Sequence, residues 1–207
     1  EVDTLEHDIV HGQYNSLVQV DSDTYALAYA GTNDDGFIST FTIDSEGVIT
    51  PIQIQNHAAF ASASENLEHD IVHGQYNSLV QVNSNTIALA YAGAGDNGFI
   101  STFTIDSEGV ITPIQIQNHA SAYEEDDVAN LEHDRHRGMH NSLVQVNSDT
   151  YALAYEGLDR DGFISTFTID SEGVITPIQI QNHASAYEED DVANLEHDED
   201  RASFNSL

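Results

Sequence analysis

The stretch GFISTFTIDSEGVITPIQIQNHA, residues 36–58, recurs unchanged at residues 98–120 and 162–184. Its first segment, 37–43, alternates in side-chain character with the period of a β-strand. The next four residues, DSEG, are typical of a hairpin turn, with Gly47 where a positive φ is expected. Residues 48–54 predict a second strand, and Pro51 within it favours a sheet edge because proline cannot donate to the ladder.

Two further strands are predicted upstream of this block. Residues 16–20 (SLVQV) are apolar and precede the turn-forming Asp21-Ser22-Asp23. Residues 24–30 (TYALAYA) place tyrosines and leucine on one face and alanines on the other. Each unit therefore predicts four antiparallel strands. The tyrosines of the second strand are expected to pack in the core or between units.

The repeat is long and nearly perfect. The string LEHD begins at residues 5, 67, 131 and 195, which gives periods of 62, 64 and 64 residues. The units are 5–66, 67–130 and 131–194, and residues 195–207 start a fourth. The rest of each unit is a long acidic connector, AYEEDDVANLEHD in its later copies, which we interpret as a loop.

These patterns predict an all-β chain of tandem four-stranded antiparallel units, resembling β-propeller blades. The chain resembles the tandem propeller-type repeats of large secreted bacterial and archaeal surface proteins, on the strength of residues 15–20, 25–29 and 36–47. That resemblance implies an extracellular or cell-surface location. Three units leave a ring incomplete, since propellers have 4–8 blades. We therefore expect neighbouring copies or flanking repeats as partners, in a longer or processed protein.

The charge balance restricts the partners. Asp and Glu number 36 against 4 Arg and Lys, a net charge of −32. Nucleic acid and anionic membranes both require clustered cations, so neither is an expected partner, and no apolar run is long enough to span a membrane. The acidity fits a halophile-like protein stabilised by salt, a protein that binds divalent cations, or a solvated acidic surface. Calcium is the one cofactor that the composition suggests.

Acidic residues of the connectors and of the loops between strands two and three are candidate calcium ligands, since Ca²⁺ prefers oxygen. No EF-hand loop motif is present, so diffuse cation binding is the alternative. The candidates are Glu6, Asp8, Asp34, Asp35, Glu68, Asp70, Asp96, Glu132, Asp134, Asp159 and Asp161.

Histidines recur four residues apart, at 7 and 11 and at 69 and 73, which is a spacing that zinc uses on helices. Glycine follows each pair at once, so we expect solvated loop histidines instead. Nearly all differences between units fall in loops expected on one face, which is how binding surfaces are commonly built, although unconstrained drift is the alternative. The candidate binding residues are His11, Tyr14, Asn33, His73, Tyr76, Asn97, His136, His140 and Arg160.

No nucleophile elbow, phosphate-binding loop or dinucleotide fingerprint is present. We therefore predict a non-enzymatic extracellular structural or adhesive repeat protein that assembles through neighbouring copies, in a cation-dependent way. The alternative is a binding module that recognises a glycan or surface protein through its variable loops. An enzyme acting on polysaccharides is the third class, and no motif supports it.

Overall fold

A computed structural model describes residues 7, 11–53, 67–70, 73–115, 131–134, 137–179 and 195–198. These residues are almost entirely β, and they form three antiparallel sheets, one per repeat, which we call blades 1, 2 and 3. This confirms the predicted all-β class of propeller-like blades, and the described blades leave the ring open. None of the described residues lies in a helix long and apolar enough to cross a membrane.

The strands repeat in the same order in each blade. Blade 1 comprises β1 (Gln13–Gln19), β2 (Thr24–Ala30), β3 (Gly36–Ile43), β4 (Ile49–Gln53) and β5 (Leu67–Asp70). Blade 2 comprises β6 (Gln75–Gln81), β7 (Thr86–Ala92), β8 (Gly98–Ile105), β9 (Ile111–Gln115) and β10 (Leu131–Asp134). Blade 3 comprises β11 (Met139–Gln145), β12 (Thr150–Glu156), β13 (Gly162–Ile169), β14 (Ile175–Gln179) and β15 (Leu195–Asp198).

The outermost strand of each blade consists of two segments that share one edge of the third strand. In blade 1, β4 pairs with the second half of β3, where Pro51 lies opposite Phe41. The strand β5 pairs with the first half of β3, where Leu67 lies opposite Ile38. The sequence LEHD, predicted as connector, is therefore a strand of the preceding repeat's sheet. Four residues in an acidic segment carry too little alternation to predict a strand.

The hairpin between the third and fourth strands is as predicted. Gly47 has a φ of 81°, in the left-handed region that favours glycine. The Asp44 carboxylate accepts hydrogen bonds from the backbone amides of Glu46 and Val48, each at 2.9 Å. Pro51 is exposed on the edge strand, which confirms the prediction made from its missing donor.

The first strand begins earlier than predicted because it contains a β-bulge. Its pairing with β2 shifts register between Gln13 and Ser16, and Tyr14 in the bulge has a φ of 52°. The Asn15 amide braces the bulge by donating to the Gly12 carbonyl at 2.9 Å. The bulge interrupts the alternation of side chains, so the sequence pattern alone places the start of the strand at Ser16.

The blades stack face to face, with their first strands side by side. The backbone amide of Leu79 donates to Ser16 Oγ at 2.8 Å, and that of Leu143 donates to Ser78 Oγ at 2.9 Å. Each interface packs small side chains of one blade, such as Ala26 and Ala28, against large ones of the next. The large, fully buried side chains include Tyr29, Tyr91, Tyr151 and Tyr155, as predicted for the second strand.

A histidine on the split outer strand joins successive blades. His69 is 1% exposed, and its ring packs edge-on against Tyr91 of blade 2, with centroids 4.6 Å apart. The ring also lies against Gly36, where an added Cβ would collide with it, and near Gly74, where an added Cβ would collide with the backbone of Gly36. His133 repeats these contacts against Tyr155. The prediction that these histidines are solvated in loops is therefore wrong for His69 and His133.

Candidate functional site

A row of three aromatic side chains crosses the blades where their first strands begin. The rings of Tyr14 and Tyr76 lie 4.5 Å apart, and those of Tyr76 and His140 lie 4.4 Å apart. All three residues occupy the bulge and share a φ of 52°. Non-glycine residues are rare in this region, and where they occur the surrounding structure holds them there. The row is therefore built by the same bulge in each repeat.

The loops between strands two and three lie beside this row. The backbone amide of Gly74 donates to the Asp34 carbonyl at 2.8 Å, and that of Gly138 donates to the Asp96 carbonyl at 2.7 Å. Each loop thus joins the start of the next blade's first strand. This arrangement confirms that loop and strand start emerge on one face.

Blade 3 alone places a charged cluster at the end of the row. Glu156 is 1% exposed, and its Oε1 lies 2.6 Å from Arg137 Nη2. The other carboxylate oxygen, Oε2, lies 3.8 Å from His140 Nε2. Blades 1 and 2 carry alanine where Glu156 stands, histidine at the position of Arg137 and tyrosine at that of His140. The three substitutions therefore fall together in space and produce one cluster of acidic and basic groups around the buried Glu156 carboxylate.

The surroundings favour neutral forms of two members of the row. Burial lowers the pKa of His140, while the charge of Glu156 raises it and that of Arg137 lowers it. Burial, reinforced by a hydrogen bond to Tyr14, raises the pKa of Tyr76 to about 12. At neutral pH the imidazole is therefore available as a proton acceptor, and the phenol keeps its proton.

The cluster has the parts of a general-base site. His140 can accept a proton, and the Glu156 carboxylate, 3.8 Å from Nε2, is close enough to stabilise the imidazolium by its charge. Arg137 is 29% exposed, so its guanidinium reaches solvent while it pairs with Glu156. A fixed guanidinium and a neutral phenol are both groups that stabilise a developing oxyanion.

The candidate calcium ligands fall into several environments. Asp70 and Asp134 are buried, and each carboxylate accepts a backbone amide three residues on, from His73 and Arg137, at 2.9 Å. Glu68 and Glu132 lie in β5 and β10, and Glu6 and Asp8 lie outside the described residues. Asp34, Asp35, Asp96 and Asp161 are half-buried in loops, and Asp159 is exposed.

The candidate calcium ligands combine each loop between strands two and three with the LEHD segment that opens the same unit. In the structure, the loop of blade 1 lies next to the LEHD segment that opens the following unit. Asp70 lies opposite Gly36, next to the loop of blade 1, because β5 pairs with β3. Burial raises the pKa of Asp35, and the nearby charges of Asp70 and Asp34 add to that effect. Within the described part of the chain, no group of three or more His, Asp or Glu side chains could hold a metal ion.

The candidate binding residues divide between the row and the loop tips. Tyr14, Tyr76 and His140 form the row, and His73 Nδ1 lies 4.0 Å from Asp96 Oδ1 beside it. The others sit in the loops or at the strand starts, where His11, Asn33 and Arg160 are exposed and Asn97 is half-buried. His136 lies outside the described residues. The structure thus brings part of the predicted binding face to one place.

Sequence reasoning missed Arg137 and Glu156. Glu156 ends a strand that reads TYALAYA in unit one and TYALAYE in unit three, so a single buried alanine becomes a carboxylate. Where the units of a repeat are nearly identical, a charged residue at a core position of one unit indicates that an opposite charge lies nearby in that unit. The partner lies at the matching position of the adjacent strand start, where His11 and His73 become Arg137.

No family model and no curated protein matches the sequence. Among solved structures, the chain is similar to the Pseudomonas aeruginosa periplasmic gluconolactonase PpgL, at 13% identity and a TM-score of 0.50. The match covers 80% of this chain and 42% of that one, so this chain spans less than half of the enzyme's length. The likeness concerns the propeller-like fold.

This comparison contradicts the prediction of a non-enzymatic structural or adhesive repeat protein. A protein with a similar arrangement of blades is an enzyme. The absence of short catalytic motifs in the sequence does not argue against catalysis here, because residues far apart along the chain can assemble a site. Arg137 and Glu156 show how strand pairing brings charged residues together, because the pairing of β11 with β12 places them side by side.

Proposed function

We propose that the protein is a hydrolase that opens esters of sugar acids, cyclic esters (lactones) included, at the Arg137, His140 and Glu156 cluster. The observation that carries the proposal is the buried Glu156 carboxylate, held between a guanidinium and an imidazole beside an aromatic row. Burying a carboxylate costs free energy even when it is paired. Blades 1 and 2 reach the same fold with alanine at this position, so the fold does not require Glu156.

Each residue has a role in this reaction. Neutral His140 removes a proton from a water molecule, whose oxygen bonds to the ester carbonyl carbon. Arg137 and the Tyr76 hydroxyl donate hydrogen bonds to the oxyanion that forms. When the oxyanion collapses, the bond from carbon to the ester oxygen breaks, and that oxygen takes the proton back from the imidazolium. The products are a carboxylic acid and a hydroxyl group, joined in one molecule when the substrate is a lactone.

The substrate class follows from the surroundings of the cluster. Tyr14 and Tyr76 offer aromatic faces, and the adjoining loops offer many hydrogen-bond acceptors, which suits a polyhydroxylated ring. The fold likeness to a gluconolactonase supports a lactone as the first substrate to test.

The experiment measures acid release from glucono-1,5-lactone and from aryl esters, above the spontaneous rate. The matched control is the triple variant R137H/H140Y/E156A, which gives blade 3 the residues of blade 2 and should fold. We expect the variant to lose at least about 100-fold in rate, since general-base and oxyanion groups each contribute about that much. Equal rates for the two proteins, or no rate above background, would contradict the proposal.

We also propose that the protein works outside the cytoplasm. Its resemblance to secreted propeller-type repeats and the periplasmic origin of the similar enzyme both support this. The net charge of −32 suits a medium of high ionic strength, where the self-repulsion of the fold is screened. Fractionation of the source cells, with the protein followed by antibody, tests the location.

A further inference from the structure

Blade 3 carries a second arginine, Arg160, in the loop between its second and third strands. The chain contains 4 Arg and Lys in all, and the four are the arginines at positions 135, 137, 160 and 201, in the third unit or directly after it. Blades 1 and 2 carry Asp34 and Asp96 at the position of Arg160. The charge of this loop residue is therefore reversed in the same blade that gains Arg137 and Glu156.

The loop keeps one backbone conformation in the three blades. In blade 3 the amide of Gly157 donates to the Asp161 carbonyl at 2.9 Å, and the bond at the same positions of blades 1 and 2 has the same length. The φ of the residue before that acceptor is 67° at Asp34, 64° at Asp96 and 73° at Arg160. Aspartate enters this left-handed region more readily than most residues, whereas arginine has no such advantage. The loop backbone therefore does not explain why an arginine stands here.

Blade 2 shows what the loop position faces. Asp96 Oδ1 lies 4.0 Å from His73 Nδ1, and Arg160 and Arg137 occupy these two positions in blade 3. The charge of Asp96 also contributes to the raised pKa of Tyr76, so this position lies close to the aromatic row. Because the loops share one conformation, Arg160 lies on the face of the cluster, on the same side of the blade as Arg137.

The fold does not use the charge of Arg160. Arg137 pairs with Glu156, whereas Arg160 is exposed and forms no ion pair within the part of the chain that the structure describes. This holds for the flanking carboxylates of Asp159 and Asp161, although the chain has 36 acidic residues. Salt screens charges beyond about 8 Å, so the distant acidic residues oppose an anion here only weakly. The guanidinium can therefore pair with a negative charge that a ligand brings.

We propose that the substrate of this site carries a carboxylate besides its ester group, and that Arg160 binds this carboxylate. The inference rests on the proposed function, and it narrows the substrate to a lactone of a sugar diacid. A guanidinium binds a carboxylate through two parallel hydrogen bonds, and the single charge of each balances the other. A phosphate dianion would leave an excess negative charge next to Asp159, which favours the carboxylate.

Two lactones that differ at one carbon test the specificity. D-glucaro-1,4-lactone carries a carboxylate where D-glucono-1,4-lactone carries a hydroxymethyl group. We expect a kcat/KM at least about 10-fold higher for the glucarolactone, through a lower KM, because hydrogen bonds between charged groups contribute about that factor or more. Arg160→Asp gives the loop the residue of blades 1 and 2, so it should fold, and it should lower the ratio of the two kcat/KM values at least about 10-fold. Arg160→Lys, which keeps the charge, should recover part of the ratio.

A binding measurement without an ester separates this inference from the hydrolase proposal. Methyl glucuronoside and methyl glucoside differ only in the carboxylate, and calorimetry should show tighter binding of the glucuronoside to the original protein than to Arg160→Asp. If that preference holds while neither lactone is hydrolysed above background, the hydrolase proposal fails and the carboxylate site stands. Equal binding of the two glycosides, no binding of either, or a preference that survives Arg160→Asp would overturn the inference. Tighter binding of glucose 6-phosphate than of the glucuronoside would also overturn it, since the site would then select phosphate.

Discussion

His69 lies on a strand that pairs with blade 1, yet its ring packs against Tyr91 of blade 2, with centroids 4.6 Å apart. Backbone hydrogen bonds hold the strand to one sheet, and the side chain holds it to the next. The short LEHD strand therefore joins the outer edge of blade 1 to the second strand of blade 2, beside Gly74 at the start of that blade's first strand. It adds a second point of attachment that resists the blades sliding past one another.

Replacing this histidine should destabilise the stack. His69→Ala removes a ring that is 1% exposed and leaves a cavity between Tyr91 and two glycines. We expect a loss of about 2–4 kcal/mol in the free energy of unfolding, in the range of large-to-small substitutions in cores. Urea titration measures the loss. His11→Ala, at an exposed position, should change stability by less than about 0.5 kcal/mol, and equal losses for the two variants would contradict the role of His69.

The parts of the fold that could be predicted are those governed by local sequence. The hairpin at 44–47, the edge position of Pro51 and the burial of Tyr29 in β2 all follow from one or two neighbouring residues. LEHD could not be predicted as a strand, because what makes it one is its pairing with β3, some 30 residues upstream. The proximity of Asp70 to the loop of blade 1 could not be predicted for the same reason, since that loop and that strand belong to different sequence units.

The candidate site could be predicted only in part. Tyr14, Tyr76 and His140 were among the candidates because they lie in the variable stretch before the first strand, with tyrosine in units one and two and histidine in unit three. Their contact depends on the bulge, which no alternation pattern shows. The sequence places Glu156 at the end of a core strand, and its 2.6 Å contact with Arg137, which helps to accommodate the carboxylate there, is visible only in the structure. The site was missed because it is formed by pairing between strands.

The asparagine in each bulge donates a hydrogen bond to the carbonyl of the glycine three residues before it. Asn15 and Asn77 allow the stabilising effect of this bond to be compared between an exposed and a buried setting. Asn77 Nδ2 donates to the Gly74 carbonyl at 2.7 Å and is 8% exposed, whereas Asn15 makes the same bond at 2.9 Å in an exposed setting. Asn77→Ala should cost about 1–3 kcal/mol, because the buried carbonyl loses its donor and water cannot replace it. Asn15→Ala should cost less than about 1 kcal/mol, because water can.

Chemical denaturation of the two variants measures this difference. Ser45→Ala in an exposed turn serves as a control for substitution alone. A cost for Asn15→Ala equal to or above that for Asn77→Ala would show that burial does not decide the value of the bond.

The contribution of the Arg137–Glu156 ion pair to stability can be measured with substitutions that introduce the residues found at the same positions of blades 1 and 2. Arg137→His leaves Glu156 buried with its cation removed, and it should cost about 2–4 kcal/mol at pH 8, where a histidine is neutral. Glu156→Ala in the same protein restores the pair found in blade 2 and should recover most of that loss. A double-mutant cycle of unfolding free energies measures the coupling. A cost below about 0.5 kcal/mol for Arg137→His would show that Glu156 does not depend on the guanidinium.

The pH dependence of stability should carry a contribution from His140. Burial lowers its pKa in the folded protein below the ordinary value of 6.5, so the unfolded chain takes up the proton first as pH falls. Well above pH 6.5 both states hold a neutral imidazole, and the contribution is nil. Below it the unfolded state binds more protons, and stability decreases until the folded imidazole titrates as well.

His140→Tyr gives blade 3 the residue of blades 1 and 2 and removes this titration. The unfolding free energy of the original protein, measured relative to that of the variant, should therefore fall between pH 6.5 and 5 and stay level between pH 7 and 8. Urea titrations of both proteins across this range measure the difference. The other groups facing the imidazole, Glu156, Arg137 and Tyr76, are present in both proteins. A relative stability that rises as the pH falls would mean that Glu156 stabilises the imidazolium by more than burial destabilises it, and His140 would then be a charged partner of the carboxylate instead of a base.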